Sequence, residues 1–197
     1  MLARWLQRLR PAPAPDTPIG FGYKTAWIAV PAGDPQAVAR MLGLRDVRPS
    51  SWRAGVAGGG GAEQVFVTPA LEGWILAVGS TLAPRCGPPR DEPCLALIRE
   101  LSQHFGRAQY FATHRVVGLS AWARARDGQM ERAYCFMGES GETAWDEGER
   151  VDGEPVIDHD AGPDEADVMA VAERWSVNPT TLEHLHLPAS LGCLGRI

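Results

Sequence analysis

The pair Asp127-Gly128, set between two strand-like runs, limits the possible folds more than any other feature of this chain. Asp-Gly readily supplies the positive φ that both central positions of a two-residue hairpin turn require, so residues 116–124 and 129–136 are expected to be neighbouring antiparallel strands. A further strand is expected over residues 109–113. It follows the clearest helix in the chain, residues 92–105, where Leu95, Leu97, Ile98, Leu101 and Phe105 recur at helical spacing and Gly106 supplies a stop.

The first half has a similar grammar. Residues 23–30 are rich in aromatic and β-branched side chains and read as a strand. A helix follows, with Asp34 as N-cap, Pro35 at its first position, Val38, Met41 and Leu42 on one face, and Gly43 at its end. Strands are expected over 47–54, 64–68 and 74–79, with the Gly58 to Gly61 run as a flexible hairpin loop between the first two. The order strand, helix, strand, hairpin therefore occurs twice, with Ser51-Trp52-Arg53-Ala54 and Ala121-Trp122-Ala123-Arg124 in comparable places, which suggests an internal duplication. The expected class is α+β, a mixed or mainly antiparallel sheet with helices packed on one face.

With 197 residues, 45% hydrophobic and 22% charged, the chain can bury one sizeable core. Residues 1–19 are expected to form an N-terminal amphipathic helix (1–10) and a Pro-rich linker, and residues 20–197 a single α+β domain. A third helix is expected over 163–175, then a short turn of helix begun by Pro179 and ending near Leu185. No run approaches the roughly 20 apolar residues of a membrane-spanning helix, and arginines interrupt the N-terminal apolar positions, so it does not read as a secretory signal. Cys86, Cys94, Cys135 and Cys193 are widely spaced and lack a CxxC pair. They read as buried, reduced thiols, a Cys86–Cys94 bridge being the exception left open. A soluble, cytoplasmic protein is the expectation. Lys24 is the only lysine, a bias that suits a GC-rich bacterial genome.

Charge is the strongest functional signal. Residues 139–174 carry 13 acidic side chains against Arg150 and Arg174, a net of −11, whereas residues 1–138 are net +6. The overall charge of −5 argues against a general nucleic-acid binder. Within the acidic segment, Trp145, Asp146, Glu147, Glu149, Asp152 and Glu154 form the expected partner-binding set, with Trp145 an exposed anchor ringed by carboxylates.

Catalytic signatures are missing. The glycine run lacks the Lys-Ser or Lys-Thr and the following helix that a phosphate loop needs. Asp158, His159 and Asp160, with Asp164 and Asp167, are the best metal-like cluster, but they lack the ladder of a calcium loop and read rather as an acidic approach to a helix N-terminus. His184 and His186 make one weak pair. His114 could act as a base for Ser120 or Cys135 only if folding brought them together, and no cofactor-binding motif is present. The expected function is a non-catalytic bacterial binding protein, such as an immunity protein or inhibitor that neutralises a basic toxin through its acidic segment. The alternatives are a metal-dependent enzyme centred on Asp158, His159 and Asp160, and a structural subunit docking through its N-terminal helix.

Overall fold

In the computed structural model, which describes residues 12–61, 63–157 and 162–197, the Asp127-Gly128 turn forms as expected, with φ of +48° and +82°. It joins β6 (Leu119–Arg126) to β7 (Gln129–Met137). The hairpin is the centre of a meander that begins with β5 (Arg107–His114) and ends with β8 (Glu142–Glu147). On the other side of β5 lies β1 (Thr25–Pro31), followed by β4 (Trp74–Val78) and β3 (Gln64–Val67). The last strand, β9 (Gly192–Arg196), inserts between β3 and β2 (Arg45–Ser50). The result is a nine-stranded sheet in the order β2-β9-β3-β4-β1-β5-β6-β7-β8, with every neighbouring pair antiparallel. The α+β class and the antiparallel sheet are those expected.

The helices cover both faces rather than one. On one face α1 (Pro35–Met41) and α3 (Pro93–Phe105) pack over Ala26, Ile28, Tyr110 and the alanines Ala108, Ala112, Ala121, Ala123 and Ala133. On the other, α2 (Trp52–Gly59) and α4 (Glu165–Trp175) cover Trp27, Phe66, Phe111, Trp122 and Tyr134. The cause is the period of two along each strand: β1 alternates Ala26, Ile28 and Val30 with Trp27 and Ala29, and all five are buried, so each face must be covered.

Helix α2 corrects two expectations at once. The strand expected over 47–54 ends at Ser50. Ser51 then caps a helix, its Oγ accepting from Ala54 N at 3.4 Å, while the Asp16 carboxylate accepts from Trp52 N and Arg53 N. The glycine run is the end of that helix, not a hairpin loop. Gly55 and Gly59, one turn apart, face β3 and β4, where a Cβ would stand 2.1 Å from the Phe66 ring and 2.7 Å from Val78 O. Glycine is what lets this helix lie flat on the sheet, although it disfavours the helix locally. Because Trp52 lies in α2 and Trp122 in β6, the two Trp-centred tetrapeptides are not equivalent and the suggested duplication is not realised.

The expected first helix, residues 1–10, lies outside the described residues. Among the described residues, no helix is long and apolar enough to cross a membrane. Substituting Gly55→Ala should force Phe66 or the helix to shift and lower stability by about 1–3 kcal/mol, read as a reduced midpoint in urea with an unchanged slope.

Candidate functional site

Residues 146–154 of the acidic segment are anchored from the inside by one arginine. Arg132, in the middle of β7, points to the aromatic face and is 1% exposed. Its Nε donates to both oxygens of Glu154 at 3.0 Å, and its Nη1 to Asp146 Oδ1 at 2.6 Å and to the carbonyls of Glu147 and Gly148 at 3.1 and 3.2 Å. Burial opposes the guanidinium charge, but the hydrogen bonds and charges of Asp146 and Glu154 outweigh it and push the arginine pKa above its usual value. The Glu154 side chain is fully buried, and its Oε1 also accepts from Val151 N at 3.1 Å. One cation thus fastens the end of β8 and the chain that follows it onto β7.

A second set of contacts holds the same chain against α4. Asp152 accepts from Arg174 at 2.8 and 3.1 Å, and its carbonyl takes the Trp175 indole N–H at 3.0 Å. Asp164 caps α4, with Asp167 closing the reciprocal capping box. Glu165 pairs with Arg115 at 3.0 Å.

The outward-facing carboxylates are what remain. β8 is a terminal strand of the sheet, and Glu142, Glu147 and the following Glu149 are exposed, with Glu139 in the preceding turn. Glu147 reaches Arg99 only at 4.0 Å, and Glu139, Glu142 and Glu149 form no ion pair among the described residues. The opposite edge, β2, exposes Arg45 and Arg48, and neighbouring β9 adds Arg196. The polarity of the sequence is therefore a polarity across the sheet.

This divides the expected partner-binding set. Glu147 and Glu149 are exposed. Asp146 and Asp152 keep exposed side chains while pairing with Arg132 and Arg174. Glu154 is internal. Trp145 is not an exposed anchor: it is 1% exposed, sits opposite Cys135 beneath the Pro-rich loop, and donates from Nε1 to Gly87 O at 3.0 Å. Its acidic neighbours occupy the outward positions and the chain ends of a strand whose inward position is the tryptophan, and a bulge at Ala144 shifts the simple alternation.

The other candidates are not assembled. Asp158, His159 and Asp160 lie outside the described residues, and Asp164 and Asp167 are engaged in the helix cap. His184 and His186 are exposed at the end of the 3-10 turn Pro179–Leu185, and no group of three potential metal ligands occurs among the described residues. His114 shares a face with Tyr110 and Ala112, whereas Ser120 shares the opposite face with Trp122, so the sheet separates them. Cys135 is on the His114 face, but β6 runs between, with Ala121 opposite it. All four cysteines are free, and no Cys86–Cys94 bridge forms.

No family model matches this chain, and neither a curated protein nor a solved structure matches it.

Arg132→Ala should cost about 3–5 kcal/mol, because it leaves the Glu154 carboxylate buried without its counter-charge; Glu149→Lys should stay within about 0.5 kcal/mol. Urea unfolding of both variants checks the contrast. Trp145→Ala should lower stability by about 3–5 kcal/mol through the cavity it opens, a loss measurable by thermal or chemical denaturation with no partner present.

Proposed function

We propose that this chain is a non-catalytic binding protein of the bacterial immunity or inhibitor kind, which takes up a basic protein partner on the acidic edge formed by β8 and the turns flanking it. The observation that carries this reading is the division of the carboxylates: an internal set is paired with Arg132 and Arg174, and an external set at the sheet edge, Glu142, Glu147 and Glu149, is exposed, with Arg99 at 4.0 Å from Glu147 its only ion-pair partner among the described residues. Fixed carboxylates of one sign steer a basic partner into encounter and select against acidic ones. Phosphate backbones would be repelled from this edge, which disfavours nucleic acid as its ligand. The free thiols suit a reducing compartment, and the cytoplasm is the proposed location.

The internal pairs give the edge its rigidity, so little ordering entropy is lost when a partner docks. With Trp145 buried, the interface contribution falls to the edge carboxylates and to backbone groups of β8, which has no second neighbour among the described residues. A partner of this kind meets the edge with a row of arginines or lysines.

Capture from the native host at low and at high salt tests the proposal, comparing the protein with a Glu142→Lys, Glu147→Lys, Glu149→Lys triple variant. A basic partner should be recovered at low salt, lost as the Debye length falls below about 8 Å, and taken up at least tenfold more slowly by the variant. A partner retained equally by the variant and at high salt would remove the acidic edge from the interface.

A further inference from the structure

Where β5 begins and β6 ends, arginines crowd the aromatic face of the sheet. Arg107 and Gln109 on β5 lie directly opposite Arg126 and Arg124 on β6, so the four side chains share that face with Phe111 and Trp122. Arg174 joins them from the last turn of α4. These five residues line a cavity of about 190 Å³, whose wall also carries Glu131 and Asp152.

The charges of this wall do not balance. Glu131 sits between two arginines, 2.8 Å from Arg124 Nε and 2.8 Å from Arg126 Nε, and Asp152 pairs with Arg174. Arg107 forms no ion pair among the described residues. Its guanidinium lies over the Trp74 ring at 5.4 Å, and that of Arg124 over Trp175 at 5.3 Å, contacts that position both cations. Four guanidinium groups face two carboxylates, which leaves two positive charges in excess. Because Glu131 engages the Nε atoms, the Nη groups of Arg124 and Arg126 donate to no protein acceptor among the described residues.

Two of the lining groups are also unsatisfied. Gln109 is 5% exposed, and its Nε2 donates to the Trp175 carbonyl at 2.9 Å. That bond settles which way the amide points and leaves Oε1 buried without a hydrogen-bond partner among the described residues. Directly opposite, Arg124 Nε is buried too, and although Glu131 is 2.8 Å away it is not aligned for a hydrogen bond. A buried acceptor and a buried donor left unmatched cost stability, and in native proteins such groups mark the place of a ligand, an ion or a water. Here they border a cavity that carries net positive charge.

We propose that this cavity is a binding site for inorganic phosphate, taken up as hydrogen phosphate. The ion brings the two negative charges that the wall lacks, oxygens that accept from the forked guanidinium donors, and one O–H for Gln109 Oε1 to accept. Sulfate matches it in shape and charge but has no proton to give. A phosphate monoester, with a second pKa of about 6, has lost both protons near neutrality. The arginines thus select the charge and Gln109 selects the proton. The site lies on the aromatic face and does not rest on the docking role of the outward carboxylates of β8.

The test is isothermal titration of the full chain with sodium phosphate, sodium sulfate and methyl phosphate at matched ionic strength and about pH 7.5, where the monoester is a dianion. One phosphate should bind per chain, at least tenfold more tightly than sulfate or methyl phosphate. Phosphate should also raise the urea midpoint more than sulfate does, the sulfate arm accounting for the general stabilising effect of such salts. Arg107→Ala removes an exposed side chain without breaking an ion pair and should weaken phosphate binding at least tenfold. Gln109→Leu should bring phosphate and sulfate to within about twofold of each other. Arg48→Ala, on β2 at the far edge of the sheet, should leave the affinity unchanged. Heat of dilution alone, equal affinity for sulfate or methyl phosphate, or an equal loss in Arg48→Ala would each overturn the assignment. Should Gln109→Leu fail to fold, Arg107→Ala and the comparison of anions decide it alone.

Discussion

The buried guanidinium of Arg132 is the interaction on which the acidic half of the molecule depends. Taking an arginine out of water costs several kcal/mol unless charges and hydrogen bonds replace its hydration. Here two carboxylates and the carbonyls of Glu147 and Gly148 do so, and they come from a stretch whose own like charges would otherwise drive it apart. The cation turns a self-repelling segment into an ordered one. It also sorts the acids, because Glu154 and Asp146 are drawn towards β7 while Glu142 and Glu149 stay outside. An acidic run in sequence is thus two populations in space, one structural and one available to solvent.

The two faces of the sheet solve the packing problem in opposite ways. Beneath α3 the strands present mostly alanine, so a long, leucine-rich helix can approach closely and fill the layer itself. On the other face the strands carry the volume. Trp27 stacks on Phe111 at 5.2 Å and Trp122 on Tyr134 at 4.7 Å, and the elements laid over them are the glycine-rich α2 and α4, which adds Val168, Val171, Ala172 and Trp175, the last 5.9 Å from Phe111. Bulk on the strands is matched by space where α2 crosses them, as at Gly55 above Phe66, whereas α4 adds bulk of its own in Trp175, and this layering explains the glycines of α2. It also explains where most tryptophans go: they build layers, and Trp145 completes the alanine face next to Tyr110.

What was legible in the sequence was whatever is encoded within a few residues. The Asp127-Gly128 turn, the Asp34 cap with Pro35 behind it, the heptad-like leucines of α3 and the acid-capped start of α4 each carry their own signal, and each lies close to where the pattern puts it. Elements stabilised from a distance were not legible. α2 has a local cap in Ser51, but its first amides are also held by Asp16, some 36 residues earlier, and its glycine run fits against Phe66. β9 is a pentapeptide containing Gly192 and Gly195, and its strand character comes from the two neighbours it lies between. The acidic edge was half legible: the charge asymmetry marked the segment that forms it, but acids flanking Trp145 were read as a sign of exposure when they are the outward positions of a strand with a buried centre.

One chain of hydrogen bonds connects these separate features. Glu92 holds the Pro-rich loop at Arg85 and Gly87, Gly87 holds the Trp145 indole, and Trp145 belongs to the strand whose end Arg132 fastens. The acidic edge and the Pro-rich loop are therefore attached to the same strand from opposite faces of the sheet. Glu92 gains its leverage from burial, because a carboxylate removed from water binds the amides around it more firmly than an exposed one would. Since it is 1% exposed and sits at the start of α3, it links the position of the loop to the position of the helix. β8 is a terminal strand, yet it is supported by side-chain anchors on both faces. Such support fixes the register of a strand that pairs with only one neighbour among the described residues.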